Sequence, residues 1–224
     1  GVPNLTEVQG MEFVKGECIP LNKRNINQDT VDHWGYQVGD YKGKKVQIAN
    51  YRNDQGTLVA QKIRFPNKDF LFIGDTKSSG LYGKHLWRDG GKMVVITEGE
   101  LDALSVSQVP TGSAGARKAI AQDLEWLEQF DSVIFMFDQD EAGRKALDEC
   151  VPLFTPGKAK IAKLPLKDAN ACLVEGRHSE IIDSIWGAKV FRPDGIVDGR
   201  DLWDLISNED MRESSDYPYT GLND

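Results

Sequence analysis

The second half of the chain alternates short apolar runs with segments of helical periodicity. Residues 93–97 and 133–137 are mostly β-branched or aromatic, and each predicts a buried strand; a third strand is predicted over 158–164. This β–α alternation is typical of a parallel sheet with helices on both faces, so the predicted fold class is α/β. Apolar residues at helical spacing predict helices over 100–108, 116–130, 141–154 and 178–187.

The first half carries the pattern of an antiparallel unit. Residues 46–52 and 57–65 predict two strands around a turn-rich connector that ends at Gly56, and therefore a hairpin. Asn27 is a suitable N-cap for a short helix that Gly35 would end. The predicted organisation is an arm over 1–20, a basic α+β subdomain over 21–90, an α/β subdomain over 91–190 and a linker over 191–224.

One connection does not fit the β–α alternation. The predicted helices over 100–108 and 116–130 follow each other with only Val109-Pro110-Thr111 available for a strand between them. Either this protein lacks the strand, or residues that joined Gln108 to Val109 are missing from the chain. We prefer the second interpretation, because two successive helices would otherwise have no crossover strand between them.

Composition argues against several classes of protein. No apolar stretch among the 224 residues approaches the length of a membrane span, and the start of the chain lacks the basic and apolar regions of a secretory signal. The three cysteines and the three histidines are scattered, without metal-ligand spacing. A zinc site within this chain is therefore not expected, and the thiols are predicted to be reduced.

The net charge of −8 at first argues against a nucleic-acid ligand, but its distribution changes that interpretation. Residues 42–92 hold eleven Lys/Arg against four Asp/Glu, a balance of +7, which leaves −15 for the rest of the chain. A basic segment joined to an acidic one suits a polymerase-like site, with cations for a nucleic-acid backbone and carboxylates for a metal ion. The alternative is a solvated basic hairpin without a ligand.

Carboxylates directly follow the first two predicted strands of the α/β half. Glu98 and Glu100 come after the first strand, and Asp138 and Asp140 come after the second. Because ligands of parallel sheets lie outside the carboxyl ends of the strands, these acids are expected at one edge, where they repel one another unless a cation neutralises them. Mg²⁺ accepts carboxylates, waters and substrate phosphates. The sequence therefore predicts a magnesium site for phosphoryl chemistry.

The individual acids are expected to differ in role. Asp138 and Asp140 are two residues apart and project to one side of an extended backbone, where two Mg²⁺ ions, or Mn²⁺ in their place, would bridge attacking and leaving oxygens. Glu98 could ligate metal or act as a general base, and Asp168, after the third strand, is a candidate third acid. The alternative for the aspartate pair is a role in capping the next helix. Two acids are interpreted as helix N-terminal residues favoured by the helix dipole: Glu100 and Asp102.

Cations that could face a nucleotide or a template occur in three places. Two lie at alternating positions of the second hairpin strand and share one face, which is either a binding surface or a plain solvent-exposed face. Two lie in a glycine-rich segment, 112–118, that leads into a predicted helix, where free N–H groups attract phosphate. Two lie in the loop over 77–87, although a lone histidine is more often structural. The candidates are Lys62, Arg64, Lys84, His85, Arg117 and Lys118.

Taken together, these motifs resemble a known family. The segments Glu98-Gly99-Glu100 and Asp138-Gln139-Asp140 resemble the Toprim signature of primases, type IA and type II topoisomerases and related nucleases. Three longer stretches narrow the resemblance to the primase half of the T7-type phage primase-helicases. They are residues 83–87, 136–146 and 164–170. The resemblance covers nearly the whole chain and departs at the Gln108–Val109 junction, where the family has additional residues and a strand.

The resemblance implies a DNA primase domain, which makes short oligoribonucleotides on single-stranded DNA during replication by Mg²⁺-dependent nucleotidyl transfer. It implies two parts, a basic N-terminal subdomain and a Rossmann-like Toprim subdomain, with the active site in the cleft between them. By motif match, the catalytic acids would be Glu98, Asp138 and Asp140, and the metal site would add Asp168. The nucleotide- or template-facing cations would be Lys62, Arg64, Lys84, Arg117 and Lys118.

The implied partners are a single-stranded DNA template and ribonucleoside triphosphates. In the full protein they would include a zinc-binding module, a hexameric helicase domain and a replicative DNA polymerase, and no membrane is expected. The chain resembles an excised middle domain that ends at the entry to the helicase. Its expected location is the cytoplasm of an infected bacterial host, with an organelle as the alternative.

Two other functions stay open at this point. The first is a Toprim nuclease or topoisomerase-like module. A topoisomerase needs a nucleophilic tyrosine, but no tyrosine lies near the acid motifs, since Tyr51 and Tyr82 are in the basic half. The second is a degenerate primase domain that serves only as a DNA-binding collar for a helicase ring. The retained acids argue against the collar, because a site without catalysis has little reason to keep clustered like charges.

Overall fold

A computed structural model describes residues 12–87, 89–109 and 123–191 of the chain. In this described part, a five-stranded antiparallel sheet comes first in the sequence and a four-stranded mixed sheet follows. The predicted α/β class, with an antiparallel unit before a parallel one, is confirmed. No helix of the described residues has the length and apolarity needed to cross a membrane.

The antiparallel sheet is a meander in which each strand pairs with the next along the chain. The predicted hairpin is confirmed, with a bulge where the register shifts between Tyr51 and Arg52. The segment predicted as an arm contributes a short edge strand in its described part, and two further strands were not predicted. The strands are β1 (Gly16–Glu17), β2 (Gln37–Tyr41), β3 (Lys44–Arg52), β4 (Leu58–Arg64) and β5 (Phe70–Gly74).

Helix α1 (Gln28–Trp34) begins and ends where the sequence predicts. The Asn27 side chain accepts a hydrogen bond from the backbone N–H of Thr30, and Gly35 ends the helix with a left-handed φ of 61°. The helix packs its buried Trp34 against Tyr82, with ring centroids 5.3 Å apart. This helix therefore joins the antiparallel sheet to the loop that precedes the mixed sheet.

The mixed sheet has the strand order β6, β7, β8, β9. Its first three strands are parallel, as predicted, and the fourth runs antiparallel to the third. The fourth strand is only two residues long, and no periodicity can be recognised over that length. The strands are β6 (Gly91–Thr97), β7 (Phe130–Met136), β8 (Ala159–Ile161) and β9 (Lys189–Val190).

Two helix predictions hold only in part. The helix predicted over 116–130 ends at Leu127 within the described residues, because Phe130 starts β7 and pairs with Gly91. The helix predicted over 141–154 ends at Cys150, and a 3-10 turn that contains Pro152 follows. A short helix after Asp168 was not predicted. The helices are α2 (Glu100–Gln108), α3 (Leu124–Leu127), α4 (Glu141–Cys150), α5 (Ala169–Val174) and α6 (His178–Trp186).

One apolar core connects the two sheets. It includes Tyr51 and Ala60 from the antiparallel sheet, Leu104 from α2, Ile134 from β7 and Leu173 from α5. The central helix of this core is α2, which fixes the carboxyl ends of β6 and β7 relative to one face of the antiparallel sheet. The Gln108–Val109 junction stays a prediction, because residues 110–122 lie outside the described part.

Candidate active site

The ends of β6 and β7 bring two of the predicted acids side by side. The strands pair in parallel up to Thr97 and Met136, so the residues that follow leave the sheet together. The backbone N–H of Asp138 donates to Oε2 of Glu98 at 3.3 Å. Strand pairing alone therefore places these two carboxylates at one edge of the sheet.

Asp140 combines a capping role with a place at this edge. Its Oδ1 accepts a hydrogen bond from the backbone N–H of Gly143 at 3.0 Å, which makes it the N-cap of α4. Its Oδ2 lies 3.8 Å from Nζ of Lys167, and Oδ2 of Asp138 lies 3.6 Å from the same ammonium. Capping therefore occupies one oxygen of Asp140, whereas Asp138 is free of that role, so the two aspartates are not a simple capping pair.

Gly143 allows the loop between β7 and α4 to close tightly. A Cβ atom at this position would lie 2.1 Å from the carbonyl oxygen of Asp138, which no real side chain tolerates. The glycine is therefore required by close backbone approach rather than by an unusual φ. It fixes the backbone of Asp138 against the first turn of α4.

The loop after β8 brings the third predicted acid to the same edge. The backbone N–H of Gln139 donates to the carbonyl oxygen of Lys167 at 2.9 Å, which ties the loops after β7 and β8 together. Asp168 then caps α5, its Oδ1 accepting from the N–H of Ala171 at 2.7 Å. Three strand ends thus contribute carboxylates, as the sequence predicts for parallel strands.

The electrostatics of the edge show an excess of negative charge. Burial, followed by the carboxylates of Glu98 and Asp168, raises the pKa of Asp138 to about 6, and Lys167 opposes this only in part. Burial and the charge of Asp168 raise the pKa of Asp102 to about 7, against a hydrogen bond from the N–H of Asn170 at 3.0 Å. A cation near these groups would favour their ionised forms.

The donor set of this edge fits a hard divalent cation such as Mg²⁺. All of the converging groups are carboxylate oxygens, and the ammonium of Lys167, which is largely exposed, offsets part of their mutual repulsion. Within residues 12–87, 89–109 and 123–191, no three His, Cys, Asp or Glu side chains are already arranged around one metal position. The edge therefore suits Mg²⁺ in the type of its donor atoms and in their position at one end of the sheet.

Lys62 reaches toward this edge from the antiparallel sheet. Its Nζ lies 2.9 Å and 3.1 Å from the two carboxylate oxygens of Glu100, and the Tyr51 hydroxyl donates to the same carboxylate. Burial, together with the charge of Glu100, raises the pKa of Tyr51 well above its usual value. Glu100, which the sequence assigned only to the helix dipole, is thus a buried contact between the two sheets.

Lys84 has carboxylate partners of its own. Its Nζ lies 2.8 Å from Oδ1 of buried Asp123 and 3.0 Å from Oδ1 of exposed Asp54, and 5.5 Å from the centroid of the Trp126 ring. The other oxygen of Asp123 accepts from the N–H of Leu81 at 2.8 Å. Burial lowers the pKa of Lys84, but the hydrogen bonds to Asp123 and Asp54 outweigh it and raise the value. Two of the three N–H donors of this ammonium can therefore be taken by carboxylates, which leaves one for a nucleotide.

The remaining predicted cations fall in different surroundings. Arg64 lies on the same face of β4 as Lys62 and lines an open cleft. His85 lies in a short 3-10 turn, and burial, followed by the charges of Arg52 and His33, lowers its pKa. Arg117 and Lys118 lie outside the described residues. Sequence reasoning missed Asp123 and Tyr51 because only the tertiary contacts reveal their partners.

The fold and the carboxylate edge define a class of protein: a Toprim-type domain preceded by an antiparallel α+β unit. The family model "Bacteriophage T7 DNA helicase/primase, N-terminal a+b fold" matches residues 16–74, and the "Toprim-like" model matches residues 95–173. The primase fragment of the bacteriophage T7 primase-helicase is 37% identical, with a TM-score of 0.73, over 83% of this chain and 82% of that chain. The chain belongs to the family of T7-type primase domains.

Two further relatives agree with this membership, and a third structure shares the fold. A T7 structure of the lagging-strand DNA polymerase with primase domains bound to an RNA/DNA hybrid is 38% identical, with a TM-score of 0.74, over 80% of this chain and 95% of that chain. The DNA helicase/primase of Enterobacteria phage T3 is 38% identical over 85% of this chain, which spans only 35% of that protein's length. The E. coli primase catalytic core, at 13% identity and a TM-score of 0.58, shares the fold over 84% of this chain and 76% of that chain. As a class, Toprim-containing primases are metal-dependent.

Proposed function

We propose that this chain is the RNA-polymerising domain of a DNA primase, which joins ribonucleoside triphosphates into short primers on single-stranded DNA. The observation that carries the proposal is the convergence of carboxylates from three strand ends at one edge of the mixed sheet. Family membership supports the same reaction. In the full protein we expect a zinc-binding module, a helicase domain and a replicative DNA polymerase as partners.

The acidic residues of this edge would form the catalytic and metal-binding site. We assign Glu98, Asp138 and Asp140 to catalysis and add Asp168 as a metal ligand. Mg²⁺ ions bound here would neutralise charge on the transferring phosphoryl group and favour ionisation of the attacking 3′-hydroxyl. Gly143 would hold the backbone of Asp138 in place, and the caps made by Asp140 and Asp168 would orient one oxygen of each toward its helix.

The basic residues of the antiparallel sheet would bind the negatively charged substrates. Lys62 lies close to Glu100 and so to the start of α2, where its ammonium can attract a phosphate without leaving the site. Arg64 lies one step further along the same strand face. Primer synthesis is mainly a matter of positioning two nucleotides and stabilising charge, which this arrangement of cations beside carboxylates supports.

The test is oligoribonucleotide synthesis by this chain on single-stranded DNA, with labelled ATP and CTP and Mg²⁺. Asp138→Asn should abolish the product. Asp131→Asn is the matched control, because Asp131 is an exposed acid at the opposite end of the same strand. Short RNA from the parent chain and from the control, but not from Asp138→Asn, would support the proposal.

Two other results would each overturn it. Cleavage of the DNA, lost in Asp138→Asn, would identify a nuclease. DNA binding without any RNA, unaffected by Asp138→Asn and by chelation of divalent ions, would identify a non-catalytic collar. Because yield without a template-reading module is expected to be low, the assay should detect dinucleotide products.

A further inference from the structure

Phe70 exposes part of an aromatic ring beside two cationic residues of β4, Lys62 and Arg64. It lies at the start of β5, an edge strand of the antiparallel sheet, and 46% of the residue is exposed. Nζ of Lys62 lies 4.7 Å from the centroid of its ring, and the ring of Phe72 meets it edge-on at 6.0 Å. The ring is therefore oriented by its neighbours while a large part of its surface stays open to solvent.

A basic cleft begins beside this ring. Phe70 is the direct partner of Arg64 in the β4–β5 register, and Arg64 lines a cleft of about 450 Å³ on the antiparallel sheet. No Asp or Glu contributes to the lining among the described residues. The cations that line the cleft are Lys23, Arg24, Lys45, Arg64 and Lys68.

Contacts connect both the ring and the cleft to helices α2 and α5, which begin next to two of the acids of the carboxylate edge, Glu98 and Asp168. Lys62 contacts the Phe70 ring on one side and the Glu100 carboxylate on the other. Across the cleft, the guanidinium of Arg24 donates to Oδ1 of Asn170 at 3.1 Å, in the helix that Asp168 caps. A chain of phosphates held in the cleft would therefore arrive beside the acids.

We propose that Phe70 is a stacking platform for an unpaired base of single-stranded DNA whose backbone lies in the basic cleft. The inference rests on the proposed function and names the partner of this surface. Aromatic side chains next to cations are the usual means of holding a single strand, because every base has a π-face and the phosphates supply charge. The proposal adds an aromatic contact to the site, where the sequence had indicated only cations.

The occupant is a DNA strand rather than a single nucleotide, because of the number and the arrangement of the cations. Five positive side chains line one open cleft, which suits several phosphates in succession better than one triphosphate group. The ring lies beside Arg64 of the cleft, and its neighbour Lys62 bonds to Glu100 at the start of α2. A template base presented there would be close to the point where a ribonucleotide must pair with it.

The experiment uses this 224-residue chain without divalent ions or nucleotides, so that its result does not depend on catalysis. Oligodeoxynucleotides that carry 2-aminopurine at single positions report stacking by fluorescence quenching, and anisotropy of an end label reports affinity. Phe70→Leu removes the ring but keeps an apolar side chain, and Phe70→Tyr keeps the ring. Trp186→Leu is the matched control, since Trp186 is an aromatic residue that is 67% exposed on α6.

We expect Phe70→Leu to weaken DNA binding by about 5- to 30-fold and to remove the quenching at one position of the oligonucleotide. Phe70→Tyr and Trp186→Leu should bind and quench like the parent chain. The dependence of affinity on salt should stay unchanged in Phe70→Leu, whereas Lys68→Ala should lower its slope by about one unit, since only the lysine contacts phosphate.

Unchanged affinity and quenching in Phe70→Leu would overturn the proposal. In a separate titration with ATP, a loss of ATP affinity in Phe70→Leu with DNA binding intact would also overturn it, because the ring would then serve a nucleotide. If the parent chain makes no RNA, but Phe70→Leu still weakens DNA binding and removes the quenching, primer synthesis would be refuted. The stacking platform would still be supported.

Discussion

Lys62 on β4 and Glu100 in the first turn of α2 form an ion pair, with Nζ 2.9 Å from Oε1, that joins the antiparallel sheet to the mixed-sheet half of the chain. The carboxylate is almost fully buried, with 9% of its side chain exposed, against 22% for the lysine. Because a hydrogen bond from the Tyr51 hydroxyl adds to the two from Lys62, Glu100 depends on contacts from the other sheet. The two halves are thus held together next to the proposed active site.

Lys62→Met should destabilise the chain more than removal of an ordinary surface lysine. The substitution leaves the Glu100 carboxylate buried with only the Tyr51 hydroxyl as a described side-chain partner, which we expect to cost about 2–4 kcal/mol. Urea denaturation measures the loss, with Lys92→Met, an exposed lysine on β6, as the control. Equal midpoints for the two variants would contradict the role given to this pair.

Gly143→Ala should impair the active site through the backbone. The added Cβ would approach the carbonyl oxygen of Asp138 to 2.1 Å, so the loop between β7 and α4 must shift. We expect a loss of about 1–3 kcal/mol in the free energy of unfolding. Primer synthesis should fall by more than that loss explains, because Asp138 moves with the loop.

Lys145→Ala serves as the comparison for Gly143→Ala, since Lys145 is exposed on the same helix. It should fold and synthesise RNA like the parent chain. Full activity in Gly143→Ala at a temperature where the variant is folded would show that the position of Asp138 does not depend on this contact.

The sequence predicts the parts of the site that depend on local rules. Glu98 and Asp138 could be found because each directly follows an apolar run, and parallel strands end at one edge. The role of Glu100 could not be found in this way, because helix position explains an acid there equally well and its cation lies 38 residues away. The sequence does not predict β5, because this strand is short and closely follows a turn. The position of Phe70 beside Lys62 and Arg64 could therefore not be predicted either.

Asp123→Asn should loosen the loop that carries Lys84. The carboxylate bonds both to the ammonium of Lys84 and to the N–H of Leu81, and it is buried. The amide can keep one of these two hydrogen bonds but loses the ion pair, so we expect about 1–3 kcal/mol of destabilisation. Thermal or urea unfolding gives the value.

The same variant tests whether Lys84 acts on nucleotides or on structure. Paired with Lys84→Met in a double-mutant cycle, it should show strong coupling in stability. If Lys84 is mainly structural, Asp123→Asn and Lys84→Met will lower nucleotide affinity only as far as they unfold the loop. A selective loss of ATP binding in Lys84→Met, with stability and the other variant unaffected, would instead assign this lysine to the nucleotide.

Asp102 should make the chain less stable as the pH rises through neutrality in the absence of divalent ions. Burial and Asp168 raise its pKa in the folded chain to about 7, above the usual value of 3.8, so the folded state binds the proton more tightly than the unfolded state. Stability is therefore greatest below the unfolded pKa and falls as the pH increases toward 7. Urea midpoints between pH 4.5 and 8 in a chelating buffer, at about half-unit steps, measure this slope.

Asp102→Asn should flatten that slope, because the amide keeps an acceptor for the N–H of Asn170 but no longer titrates. At pH 8 the variant should be more stable than the parent chain by about 1–3 kcal/mol, which is less than the full shift would give because the neighbouring acids relax. Asp131→Asn, on the exposed end of β7, should leave the slope unchanged.

Addition of Mg²⁺ should also reduce the slope in the parent chain, since a bound cation would offset the repulsion that raises the pKa of Asp102. A parent chain with a flat profile in the chelating buffer would show that the carboxylates at this edge repel one another far less than their positions indicate.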